Sequence, residues 1–371
     1  MAKIFEAGPT NYLAQPMFLG DAVSTARYDV QTHPLFEELI DKQLGFFWRP
    51  NEVNISKDKH DFENLTAAEK HIFVENLKYQ ILLDSIQGRS PNLAFLEICS
   101  IPELETWIET WAFSETIHSR SYTHIIRSIV NDPSEILDDV TVNPAVAARA
   151  EAFTKHYEDL IDANTKRRNY ENAGQALPAD FLKEYKYLIL KTLVVVNALE
   201  AIAFYVSFAC SFAFGERGTM VGNANIIKLI ARDEALHLRG TEYMINTLRK
   251  SPEYADVWAE HEEEFRGLFL QAAENEKEWA NHLFSLGTTL GLNKEILCVF
   301  VEYITNARMS TVGLGVPYPN SKENPLPWIF QSGWLSSDNT QVAPQEDEIT
   351  DYLTGGLDEN VNADDLDEMD F

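Results

Sequence analysis

Between Thr192 and Phe214 the chain reads TLVVVNALEAIAFYVSFACSFAF, a run whose strongly polar side chains are Asn197 and Glu200. A segment this long and this apolar suits either a bilayer or the centre of a large helical protein. A carboxylate at mid-span is costly in lipid, and no flanking cluster of Lys and Arg sets an orientation. The segment is therefore expected as a core helix of a protein with no membrane span. Its buried Glu200 must find partners on neighbouring helices.

The rest of the chain supplies such neighbours. Thr66 and Glu69 form a T-x-x-E capping box that opens a helix to about Gly88. Ser100 and Glu103 form a second box, with Pro102 in the first turn of a helix reaching about Val130. Further helices are expected near 144–168, 181–214, 224–250, 253–286 and 293–310, joined by polar stretches at 171–180 and 215–223. Strand alternation is weak throughout. The fold class that follows is all-α: a helical bundle with accessory helices.

Two of the nine histidines have a glutamate three residues earlier, Glu115–His118 and Glu234–His237. Both pairs sit mid-helix, where that spacing puts the two groups on one face. Each pair follows a helix with one carboxylate among apolar residues: Asp84 lies 31 residues before Glu115, and Glu200 lies 34 before Glu234. Those separations suit a run along one helix, a turn, and a return to the same height on the next. Carboxylate…E-x-x-H thus occurs twice, which is the pattern of ferritin-like dimetal bundles. Four carboxylates balance two divalent cations, and oxygen-rich ligation with imidazole suits iron or manganese. Taken singly, each of these residues reads as ordinary surface or core decoration; the order of all six is what points to metal.

Tyr122 stands four residues beyond His118 and seven beyond Glu115. At about 100° per residue the three fall within roughly 60° on the helix wheel. The position seven past Glu234 is Thr241, so the two halves differ in redox-active groups. Phe204 and Phe208 lie four and eight past Glu200, and Ile230 four before Glu234, on faces that could wall the phenol from water.

The formal charge of −28 argues against nucleic-acid binding, since phosphate recognition needs a basic surface. Cys99, Cys210 and Cys298 lie far apart in apolar contexts and read as reduced thiols of a cytoplasmic protein. Residues 1–20 show no signal-peptide pattern. Neither a Walker-type loop nor a convincing Gly-rich fingerprint is present, so no nucleotide site is expected. Four segments follow: an extended 1–30, the helical domain 31–316, a Pro- and Trp-containing stretch 317–344, and a tail 345–371. That tail carries eleven Asp or Glu and no Lys or Arg, the composition of a flexible, solvated segment. Its apolar points, Tyr352, Leu353, Leu357, Leu366, Met369 and Phe371, suggest that it binds a partner.

The stretches WAFSETIHSRSY (Trp111 to Tyr122), NALEAI (Asn197 to Ile202) and ARDEALH (Ala231 to His237) resemble signatures of the class I ribonucleotide reductase small (beta) subunit. The similarity runs from GFFW (Gly45 to Trp48) to the acidic tail. It implies that Asp84, Glu115 and His118 hold one metal ion and Glu200, Glu234 and His237 the other, with Glu115 and Glu234 bridging. It further implies two iron ions per chain, with manganese as the alternative, and O₂ as oxidant for a stable radical on Tyr122. Trp48, Asp233 and His118 would form the inner radical-transfer route, and Tyr352 the crossing between subunits. The resemblance implies a homodimer whose C-terminal residues dock on the large (alpha) subunit, where ribonucleotides become deoxyribonucleotides. Without the resemblance three readings compete: an iron-storing protein, a dimetal oxygenase for a small organic substrate, and a scaffold with a binding tail. Storage would need neither Tyr122 nor the tail, an oxygenase would need a substrate channel beside the metals, and a scaffold leaves the six ligands unexplained.

Overall fold

The computed structural model describes residue 5 and residues 7–335. In chain order its helices are α1 (Leu35–Gly45), α2 (Asp58–Asn64), α3 (Ala67–Gln87), α4 (Ser90–Phe95), α5 (Pro102–Ile129), α6 (Ser134–Leu137) and α7 (Pro144–Asn172). Then come α8 (Ala179–Ala198), α9 (Tyr205–Glu216), α10 (Val221–Leu248), α11 (Ala255–Leu283), α12 (Lys294–Thr311) and the short α13 (Trp328–Gln331). Among the described residues there are isolated bridges but no strands. The fold is the all-α bundle expected. Within it α5 packs on α3 and α10, α10 on α8 and α9, and α11 on α8 and α12.

Local chemistry explains where the helices begin. Thr66 accepts from the Glu69 N–H while the Glu69 carboxylate accepts from the Thr66 N–H, so the first capping box forms as read. The second does not. Helix α5 has Ile101 at its N-cap and no side-chain cap. Ser100 Oγ instead accepts from the Gly20 N–H at 2.7 Å, and Glu103 accepts from the N–H groups of Thr32 and His33. Both groups are diverted to the N-terminal segment, where three backbone donors draw them away from the helix start. Helix α10 lacks a cap of its own and borrows one from α2. Asp58 accepts from the N–H groups of Gly222 (3.1 Å) and Asn223 (2.6 Å), and Asp61 from that of Met220 (3.0 Å). Two carboxylates there also oppose the positive end of the helix dipole.

The expected helix over 181–214 is interrupted. A π-helical turn, Leu199–Ala203, separates α8 from α9 and contains Glu200. Uniform apolarity gave no stop signal, because the interruption is stabilised by groups on other helices. By length and composition, Ala179–Glu216 could cross a membrane, yet 94% of its apolar window is buried inside the protein. Close approach of α10 to α5 depends on Gly240, where an added Cβ would sit 2.5 Å from Trp107 Nε1.

Two expectations test the α3 cap. Thr66→Ala should lower the unfolding free energy by about 1 kcal/mol in denaturant titrations. Burial alone would raise the Glu69 carboxyl, but Arg217 and Thr66 hold it down to about 2. A carboxylate depressed on folding stabilises above its unfolded pKa and loses that contribution as pH falls towards its folded one. Glu69→Gln should therefore lower the urea midpoint at pH 7, and the gap to wild type should close as pH falls through 4.5 towards 2.

Candidate metal centre

Four elements deliver six side chains to one buried point. Helix α3 brings Asp84, α5 brings Glu115 and His118, the π-turn brings Glu200, and α10 brings Glu234 and His237. They form two overlapping groups, Asp84–Glu115–His118–Glu234 and Glu115–Glu200–Glu234–His237, each with one ligand atom per residue and all such atoms within 4.8 Å of one another. Glu115 and Glu234 belong to both. Each reaches both imidazoles: Glu115 lies 3.3 Å from His118 Nδ1 and 3.2 Å from His237 Nδ1, and Glu234 lies 3.2 Å and 3.1 Å from the same atoms. None of the six is more than 4% exposed.

Burying four carboxylates together demands compensating positive charge. Among the described residues no Lys or Arg is ion-paired with any of them. Burial and neighbouring carboxylates push Asp84 well above the usual range, and burial does the same to Glu200. Burial alone would lower His118 and His237, but the surrounding carboxylates overcome it and raise His237 to about 10. Burial would likewise raise Glu115, yet its bonds to the two imidazoles hold it at about 2. Such a cluster collects protons or metal cations. Asp84 Oδ1 and Glu200 Oε2 are buried without a hydrogen-bond partner, so the donor set retains lone pairs suited to cations. The residues fit a two-metal centre.

Most of the remaining expected residues are buried and described. The Tyr122 hydroxyl donates to Asp84 Oδ2 at 2.7 Å and the residue has 0% exposure. Trp48 Nε1 donates to Asp233 Oδ2 at 2.9 Å, and the same oxygen lies 3.2 Å from His118 Nε2. Phe204, Phe208 and Ile230 are all buried, with the two phenylalanine rings stacked at 5.7 Å. Tyr352 and the acidic tail lie outside the described residues.

Several contributors escaped the sequence reading. Gln87 donates to Glu200 at 3.1 Å and accepts from the Tyr157 hydroxyl at 2.7 Å. Trp111 Nε1 donates to Glu115 at 3.1 Å. Arg232 lies 3.4 Å from Asp233 and also donates to the Phe46 carbonyl. Helical spacing held a signal for two of these, since Gln87 stands three past Asp84 and Trp111 four before Glu115. Asn197, the other polar residue of the apolar run, donates to Thr241.

The comparisons with known proteins agree with this geometry. Residues 28–325 match the model of the family described as "Ribonucleotide reductase, small chain". The chain is 55% identical over 370 residues to ribonucleoside-diphosphate reductase 1 subunit beta of Escherichia coli O157:H7, covering 98% of this chain and 97% of that protein. It is 43% identical over 382 residues to the subunit beta of Enterobacteria phage T4, covering 98% and 97%. A putative class I ribonucleotide reductase from Bacillus halodurans superposes with a TM-score of 0.74 at 25% identity, over 88% of this chain and 97% of that one. The dimanganese(II) NrdF of Streptococcus sanguinis, at 22% identity, shares the fold with a TM-score of 0.67, over 84% and 99%. These relatives are subunits of an oxidoreductase named for the reduction of ribonucleotides. This chain belongs to the ribonucleotide reductase small-chain family.

Proposed function

We propose that this chain is the tyrosyl-radical type of beta subunit, with Asp84, Glu115, His118, Glu200, Glu234 and His237 as metal ligands and Tyr122 as the radical site. The observation that carries it is the fully buried Tyr122 hydroxyl, 2.7 Å from Asp84 of the cluster. Two iron ions, or manganese in the same donor set, supply with O₂ the one-electron oxidising power that a side chain lacks. The chain's residues do the rest. Burial, and then Asp84, push the Tyr122 phenol well above its ordinary pKa, so it keeps its proton until an electron leaves. Asp84 Oδ2 is placed to take that proton. Burial of Phe204, Phe208 and Ile230 supports their role in excluding water, which a long-lived radical requires.

The outward route begins at His118 and runs through Asp233 to Trp48, which share one carboxylate oxygen. That contact supports the proposal that Trp48 passes the oxidising equivalent towards Tyr352. The acidic tail 345–371 is proposed to dock the chain on its large subunit, where the nucleotide is bound and reduced. Homodimer formation is proposed too, supported by an exposed apolar cluster of Leu44, Phe47 and Phe113, in which the two rings stack at 6.2 Å. A cytoplasmic location is proposed as well, supported by three cysteines that form no disulfide with one another.

Two experiments test this reading. Protein loaded with Fe(II) and exposed to air should give a tyrosyl radical signal in electron paramagnetic resonance. Tyr122→Phe should lose that signal while binding the same amount of iron; a signal that survives the substitution contradicts the assignment. Removal of residues from Gln345 onward should leave the radical intact and abolish turnover in a mixed assay with the large subunit. Full turnover by the truncated chain would refute the docking role.

A further inference from the structure

The π-turn that carries Glu200 ends in a backbone donor with an unusual acceptor. In an unbroken α-helix the Val206 N–H would bond to the Ile202 carbonyl. Here that carbonyl accepts from Phe204, and the Val206 N–H donates to Glu276 Oε1 at 3.1 Å. Glu276 lies on α11 with 0% exposure. Its second oxygen accepts from the Tyr79 hydroxyl at 3.3 Å, and the Tyr79 ring packs 4.7 Å from that of Trp279. Alongside, Asn76 Oδ1 accepts from the Ser207 hydroxyl at 2.9 Å and from Trp279 Nε1 at 3.3 Å. Residues 206 and 207 are thereby tied to α11, and to the same α3 that carries Asp84.

We propose that Glu276 is a positioning residue for the metal centre: by accepting from the Val206 N–H it holds the π-turn that presents Glu200 to its cation. The inference rests on the reading of Glu200 as a ligand given above. Its physical basis is register. A π-turn fits one more residue into the turn than an α-helix does, and each residue step is about 100° of rotation. Without an acceptor for Val206, the favoured repair is a return to α-helical bonding. That slip swings Glu200 away from Glu115, Glu234 and His237. A buried N–H does not stay unsatisfied when a helical carbonyl is one turn away. Gln87 fixes the Glu200 side chain from the other side, but it bonds to the carboxylate and leaves the backbone register free.

The role predicts a difference between two substitutions of similar size. Glu276→Gln keeps an oxygen that can accept from Val206, whereas Glu276→Met fills the same space without one. Full-length protein would be titrated with Mn(II) and followed by electron paramagnetic resonance, which separates a lone ion from a coupled pair. Wild type and Glu276→Gln should bind two coupled ions per chain with affinities within about twofold of each other. Glu276→Met should keep the first ion and bind the second about tenfold or more weakly, the scale typical of lost outer-sphere support. Amide exchange across residues 199–208 of the metal-free proteins reads the latch itself and should be faster in Glu276→Met than in Glu276→Gln. Should Glu276→Met fail to fold, Glu276→Leu takes its place, because it too fills the space without offering Val206 an acceptor. Equal second-ion affinity and equal exchange in the apolar variant and Glu276→Gln overturn the proposal, as does an equal loss in both. A wild type that binds no coupled pair, but shows the exchange difference, sinks the reading of Glu200 as a ligand and leaves the latch standing.

Discussion

One electrostatic demand governs the site: four buried carboxylates cluster with two imidazoles, and among the described residues no Lys or Arg is ion-paired with any of them. Their mutual repulsion and lost hydration cannot be borne by the protein alone. The raised Asp84, Glu200 and His237 show where that demand falls. A site of this kind attracts cations strongly, and three of its six side chains are held from behind. Gln87 holds Glu200, Trp111 holds Glu115, and Asp233 holds His118.

The scaffold achieves this with helix registers more than with loops. Helices α3 and α5 meet at Asp84, Glu115 and His118, and α10 runs past both ends of the cluster. Spacing of three or four residues then aligns the clustered groups with their supporting residues on one stripe of α3 and one of α5, the Tyr122 phenol lying on the second. Glu200 is the exception, because α8 does not present it in α-helical register. The π-turn corrects the presentation at the cost of an orphaned amide, and a buried acid on α11 satisfies that amide. Tyr122 is placed by the same stripe, which couples its hydroxyl to Asp84 without any loop contributing.

How much of this was legible can be judged residue by residue. Glu115–His118 and Glu234–His237 were readable because their spacing is intrinsic to the helix, and Asp84 and Glu200 because each is a carboxylate in an apolar helix one hairpin earlier. The Thr66–Glu69 box was readable because both partners lie within one turn. Ser100–Glu103 has the same pattern and did not form, because residues 20, 32 and 33 compete for those oxygens from the far side of a contact. The π-turn was invisible, since the run from Leu193 to Phe214 looks the same whether or not one turn is wider.

By itself, the sequence determined the helical periodicity, the paired E-x-x-H motifs and the place of the phenol beside them. Each depends on neighbours a few residues apart, and such geometry survives into any fold that keeps the helix. The tertiary structure alone decided which oxygen meets which nitrogen, that Asp58 and Asp61 cap α10, and that Glu276 reaches Val206. Those contacts join residues far apart in the chain, Trp48 and Asp233 by 185 positions. Backbone amides have no side-chain signature, so nothing in the order of residues shows which distant carboxylate they will meet.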